Sequence, residues 1–164
     1  MSIIGEYLRV TPAQLERAVR DPEWALDHAD EVREAEDQPE SPSTASRYYS
    51  TYKAWDLIRF LLARSGMPVD IIHGEEPFTE EDWGYGPPRY LHPEHVRLAA
   101  HTLRALSYDR LLEGVSPDDL LRAEVYPLGW DVTMLGWGRH WYDGLTHFFE
   151  TAATAGDAML VWLD

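Results

Sequence analysis

The hexapeptide Ala158-Met159-Leu160-Val161-Trp162-Leu163 carries no polar side chain. Successive residues of a strand point to opposite faces of its sheet, so a strand of this makeup needs cover on both faces and belongs at the centre. At the other end of the chain, residues 3–10 alternate imperfectly, with Ile4, Tyr7 and Leu8 apolar, and read as a first strand. Strands at both termini with helical patterns between them predict an α+β fold. The expected architecture is a single compact domain over residues 1–164, mostly helical, with a small mixed sheet that includes the N- and C-terminal strands. A length of 164 residues suits one domain.

Helix starts are spelled out three times. Thr11-Pro12-Ala13-Gln14 combines a Thr cap, Pro in the first turn and Gln at the capping-box position. His92-Pro93-Glu94-His95 and Ser116-Pro117-Asp118-Asp119 repeat the grammar. Trp24, Leu26, Ala29 and Val32 can line a short helix within the acidic stretch 21–40, and an exposed acidic, Pro/Ser-rich loop is expected at about 34–47. Residues 49–64 read as the strongest helix: Trp55, Ile58 and Leu62 share one side, and Leu57, Phe60 and Leu61 cover the other. Its polar strip holds Asp56 and Arg59, three apart and able to pair. Residues 66–74 suggest a short strand through Val69, Ile71 and Ile72. Residues 93–106 and 139–155 read as further helices, the latter with Trp141, Leu145, Phe148 and Ala152 in one stripe.

Composition excludes several functions. The absence of cysteine removes disulfides, thiolate metal centres and a cysteine nucleophile. Fourteen basic residues against twenty-nine acidic ones leave a net charge of −15. That balance argues against nucleic-acid partners, whose phosphates need Lys and Arg, and against anionic membrane surfaces. No apolar run approaches the roughly 20 residues that span a bilayer, and the first residues lack the pattern of a secretory leader. A cytoplasmic protein is expected. Nine carboxylates fall in residues 21–40 and five in 75–82, so the charge gathers in connecting segments.

The second acidic group runs directly into Trp83-Gly84-Tyr85-Gly86-Pro87-Pro88-Arg89-Tyr90. Trp and Tyr bring large contact area at low entropic cost, and Arg brings a planar fork that matches anions. This mixture is typical of binding hot spots, so Trp83, Tyr85, Arg89 and Tyr90 are candidate binding residues. The bland alternative is a structural loop whose rings plug the edge of the core. Lys53, Trp55 and Asp56 join the candidates from the head of the central helix. Ser50-Thr51-Tyr52-Lys53 spells S-x-x-K, but its companion motifs are absent. His92, Glu94, His95 and His101 do not converge on one helix face. His140, Asp143 and His147 are better spaced and stand as weak metal candidates, so no metal is assigned and no motif calls for a cofactor.

Five segments carry a resemblance. They are Ile4-Gly5-Glu6-Tyr7 with the following Thr11-Pro12 start and Leu15; Lys53-Ala54-Trp55-Asp56-Leu57; Gly84-Tyr85-Gly86-Pro87-Pro88-Arg89-Tyr90-Leu91; Val125-Tyr126-Pro127; and the apolar C-terminal strand. In this order and spacing the chain resembles the YfbM-like family, a domain of unknown function, nearly end to end. The resemblance implies a compact α+β domain and supplies no established activity. Tyr52 stands where members often carry Asp before the Lys, which weakens a catalytic role for an Asp–Lys pair. His92 replaces the Thr or Ser that tends to cap the next helix.

Three functions fit these residues. The first is a binding or interaction module whose aromatic-Arg loop forms a cleft for a small anionic ligand or a basic protein. The second is a hydrolase-like enzyme on an anionic or polar metabolite, with Arg89 and Lys53 holding charge and Asp56 or a histidine as acid/base. It requires Arg89, Lys53 and Asp56 to face one pocket. The third is an acidic, immunity-type inhibitor of a basic toxin.

Overall fold

The structure, a computed structural model, describes residues 2–37 and 46–164. Along the chain run β1 (Gly5–Val10), α1 (Pro12–Arg20), α2 (Pro22–Glu36), β2 (Tyr48–Tyr52), α3 (Trp55–Arg64), β3 (Glu76–Pro77), β4 (Arg89–Leu91), α4 (Pro93–Ala105), α5 (Tyr108–Leu112), α6 (Pro117–Arg122), α7 (Val132–Leu135), α8 (Gly138–Ala155) and β5 (Ala158–Leu163). The fold is α+β. Its sheet has the order β2-β1-β5-β4-β3, which puts the apolar strand β5 at the centre. The two terminal strands pair along their full length, from Gly5 opposite Leu163 to Val10 opposite Ala158.

Alternation along β5 builds two cores. Met159 and Val161 join Tyr7, Leu91 and the buried faces of α3, α4 and α8 in the larger one. Leu160 and Trp162 join Leu8, Val10 and the small residues Ala18, Ala25 and Ala29 of α1 and α2 in the other. Helices therefore cover both faces of the sheet, which is what an unbroken apolar strand requires. Burial of this apolar area is the main favourable term in holding the layers together.

The helix starts form for the expected reasons. Thr11 and Gln14 make a reciprocal capping box, and Ser116 with Asp119 makes another. His92 caps α4 without a side-chain hydrogen bond. Helix α8 ends at Gly156 in the left-handed conformation that glycine adopts without strain.

Four expectations need correction. Residues 48–52 form strand β2 rather than the first turn of a long helix; Tyr-Tyr-Ser-Thr-Tyr is rich in strand-forming types, and Tyr52 at φ 53° turns the chain before α3 begins. Residues 66–74 form turns, not a strand, yet they still bury Val69, Ile71 and Ile72. Every strand pairing is antiparallel, so the sheet is not mixed. Helix α2 continues to Glu36, so the acidic segment is ordered further than expected; residues 38–45 of the expected loop lie outside the described residues.

Of the buried carboxylates Glu6, Asp56 and Asp157, the first titrates well away from its ordinary value. Glu6 on β1 is 3% exposed and points to the α2 side of the sheet. It accepts a hydrogen bond from the Tyr48 hydroxyl and lies 4.0 Å from Arg33, which also holds Asp164 at 2.9 Å and Asp30 at 3.0 Å. Burial pushes Glu6 up to about 7, with Asp164 and Asp37 adding to the rise; Tyr48 and Arg33 oppose it. The folded protein therefore binds this proton more tightly than the unfolded chain, whose Glu titrates near 4.5. The stability linked to Glu6 is fully present below about pH 4.5 and is lost as pH rises through about 7. Urea unfolding at pH 5 and pH 8 should show Glu6→Gln gaining on the wild type at the higher pH, by up to about 3 kcal/mol. A gap that is the same at both values would contradict this assignment.

Candidate functional site

The aromatic segment is fastened to the end of β5 by backbone as much as by rings. The Tyr85 N–H donates to the Leu163 carbonyl at 2.9 Å, and the Trp83 N–H donates to Gly86 at 3.1 Å. One oxygen of Asp82 accepts from the N–H groups of Gly84 at 2.7 Å and Gly86 at 3.0 Å. Those two bonds hold the exposed Asp82 carboxyl below the usual carboxylate range. Gly84 is required at the contact. Its φ is 148°, and a Cβ there would lie 2.7 Å from the Asp164 Cα and 2.8 Å from the Leu163 carbonyl oxygen.

This anchoring divides the aromatic residues between two tasks. Trp83 is 7% exposed and turns inward, edge-on to Trp162 at 5.3 Å and to Phe78 at 5.9 Å. Tyr85 is 43% exposed. Arg89 and Tyr90 are not loop residues at all but lie on β4, where alternation separates them. Tyr90 packs with the α1–α2 core and lines a different cavity with Leu15, Val19 and His92. Arg89 opens toward Tyr85.

Tyr85 and Arg89 line a half-open cavity of about 350 Å³ together with Pro87, Leu163, Asp70 and His73. Asp70 and His73 reach this cavity from the turns at 66–75. Asp70 starts one turn, its Oδ1 accepting from the N–H groups of Ile72 at 3.1 Å and His73 at 3.0 Å. His73 Nδ1 stands 3.5 Å from Asp70 Oδ2. Burial raises the Asp70 carboxyl, but the His73 ring and these backbone donors outweigh it and hold it below the usual range. The turn is pinned to β4 by the Glu75 N–H donating to Tyr90 at 3.3 Å. Gly74 allows the approach, because a Cβ there would meet the Arg89 Cβ at 2.7 Å. Arg89 itself is exposed and makes no hydrogen bond or ion pair with any described residue.

A second cavity, of about 330 Å³, adjoins the first, and Asp70 and His73 line both. Its wall is apolar, from Leu62, Met67, Val69 and Ile71, with Arg59 at its rim.

The remaining candidates sit behind the cavity, not in it. Trp55 is buried, donates its indole N–H to the Ile3 carbonyl at 3.0 Å and stacks on Tyr126 at 5.9 Å; its ring also meets His73 edge-on at 6.5 Å. Asp56 is buried, paired with Arg59, and accepts from the Tyr126 N–H at 2.8 Å, so it ties α3 to the 125–130 turn. Lys53 lies over the Tyr52 ring at 5.3 Å. Neither Lys53 nor Asp56 lines the cavity that Arg89 enters. Sequence reasoning missed Asp70 and His73, although Asp70 with Gly74 four residues on is a turn signature. No three His, Asp or Glu side chains gather as a metal site among the described residues, and His140 packs edge-on against Trp141 at 5.0 Å.

Fold and site together define an α+β domain with helices on both faces of an antiparallel sheet and a charged recess beside its central strand. The chain belongs to the family described as a domain of unknown function (DUF1877), whose model matches residues 1–162. Among solved structures it is similar to a protein of unknown function, YfbM, from Escherichia coli, with a TM-score of 0.68 at 16% identity over 98% of this chain and 99% of that one. At that identity the likeness speaks for the fold. No curated protein matches the chain. No helix among the described residues is long and apolar enough to cross a membrane.

The loop anchoring has a measurable consequence. Gly84→Ala combines an unfavourable φ with a backbone clash, whereas a Cβ at Gly86, φ 110°, meets nothing within 4 Å. Thermal melts should show Gly84→Ala losing more stability than Gly86→Ala, with the former in the range of about 2–4 kcal/mol. Equal losses would mean that the loop is not seated on β5 as described.

Proposed function

We propose that this protein is a small-ligand-binding domain whose site is the recess between the aromatic loop and the 70–73 turn, with Arg89 as the group that receives an anion. The observation that carries the reading is an exposed guanidinium with no partner among the described residues, in a cavity of about 350 Å³ that also holds an exposed tyrosine. Arginine presents its donors in a rigid fork that suits carboxylate or phosphate. Tyr85 adds a flat apolar wall with a polar tip. In a chain of net charge −15, an arginine left unpaired in a recess is a local anion-attracting group on a surface that otherwise repels anions.

Binding is favoured over hydrolase-like catalysis because Asp56 is committed to Arg59 and to the Tyr126 backbone, outside the cavity. A basic protein partner is the weaker variant of the binding reading: the acidic side chains at 75–82 lie beside the loop, but Glu75 is already held by His95 at 2.5 Å. A cytoplasmic setting belongs to the same reading and suits a chain without cysteine.

A thermal-shift screen of wild type and Arg89→Ala against inorganic phosphate and small mono- and dicarboxylates tests the proposal. Ligands that bind only the native state raise its melting temperature. The expected result is a concentration-dependent rise for at least one anion in the wild type and none in Arg89→Ala. Identical responses in the two proteins would remove Arg89 as the anion site.

A further inference from the structure

We infer that the ligand of this recess is a zwitterion with an aliphatic side chain, an α-amino acid or its close chemical equivalent. This rests on the reading of Arg89 as an anion site and adds two features to it.

The first feature is a pair of opposite charges that share a cavity without meeting. Asp70 and Arg89 both line the recess, yet no ion pair joins them. Asp70 spends Oδ1 on the backbone N–H groups of Ile72 and His73. Oδ2 has only the His73 ring nitrogen, 3.5 Å away and at the limit of a hydrogen bond, so it keeps acceptor capacity. The Asp70 carboxylate is held by its own turn, and the Arg89 backbone by the β4 register opposite Val161 and the close approach of Gly74, which leaves the guanidinium free to meet a ligand. A carboxylate acceptor and a guanidinium donor that line one recess without pairing match a ligand that carries both an ammonium and a carboxylate.

The second feature is the adjoining cavity of about 330 Å³. It opens beside Asp70 and His73, and its wall is made of Leu62, Met67, Val69 and Ile71. A group reaching past Asp70 from the charged recess therefore enters apolar surroundings. Burying an aliphatic side chain there contributes favourably in proportion to the area removed from water. The arrangement follows the general form of a small-molecule site, an apolar body with a few convergent polar groups.

Isothermal titration calorimetry of the full chain with leucine, N-acetyl-leucine, leucinamide, glycine, acetate and inorganic phosphate separates the contributions. Leucine is expected to bind about tenfold or more tightly than each of the others, because each lacks one of the three matched groups or more. Arg89→Gln should abolish leucine binding. Asp70→Asn keeps an oxygen for the turn but loses the charge, so it should erase the preference for leucine over N-acetyl-leucine. If Asp70→Asn fails to fold, as read by circular dichroism, the wild-type series alone decides. N-acetyl-leucine or leucinamide matching leucine would overturn the zwitterion, and glycine matching leucine would overturn the aliphatic pocket. Acetate or phosphate binding through Arg89 with no gain for leucine would leave the anion site standing and reject this inference. Silence from every compound, phosphate included, would reject both.

Discussion

Strand β5 has to be buried on both faces, and most of the architecture follows from that requirement. Its six residues offer no polar surface, so one face receives α3, α4 and α8 and the other receives α1 and α2. The same strand ends at the site. Beyond Val161, β4 no longer pairs with it, and the aromatic loop takes over through the Tyr85 hydrogen bond to Leu163. A loop held this way on a central strand inherits the rigidity of the core. The recess is therefore built on the scaffold rather than on a wandering connection, which is the condition for preorganised binding.

The polar groups around β5 follow a consistent division. The buried charged side chains are paired: Arg9 with Asp157 at 2.9 Å, Asp56 with Arg59 and the Tyr126 backbone, and Glu6 with Tyr48 beside Arg33. Each satisfies the rule that a buried polar group costs heavily when left alone. Arg89 departs from the pattern because it is exposed and open to a ligand. Asp70 departs halfway, with one oxygen bound into its turn and the other nearly free. What marks this corner of the molecule is that an available guanidinium and a half-available carboxylate line the same recess.

Much of the fold was legible because its signals are local. The apolar run at the C-terminus, the Thr11 and Ser116 capping boxes and the stripe of α8 each rest on a few neighbouring residues. The misread segments were those decided by distant partners. Residues 48–52 carry aromatic and polar types that fit either state, and pairing with β1 settles them as a strand. Residues 66–74 are apolar enough for a strand, but Asp70 draws two backbone N–H groups to itself and the chain turns. The site was half legible. Composition marked Tyr85 and Arg89, but β-strand alternation sends Tyr90 to the other face, and packing sends Trp83 into the core. Asp70 and His73 come from a different loop, and nothing local to either stretch reveals that they share a wall.

Ligand binding is proposed for the recess that Tyr85, Arg89 and Asp70 line. Two-dimensional NMR of isotopically labelled protein, titrated with leucine, tests that location directly. The largest amide shifts are expected on residues 70–74, 84–86 and Arg89, with smaller ones at Met67 and Leu163. Shifts centred instead on Leu15, Val19 and His92, around the cavity that Tyr90 lines, would contradict that location.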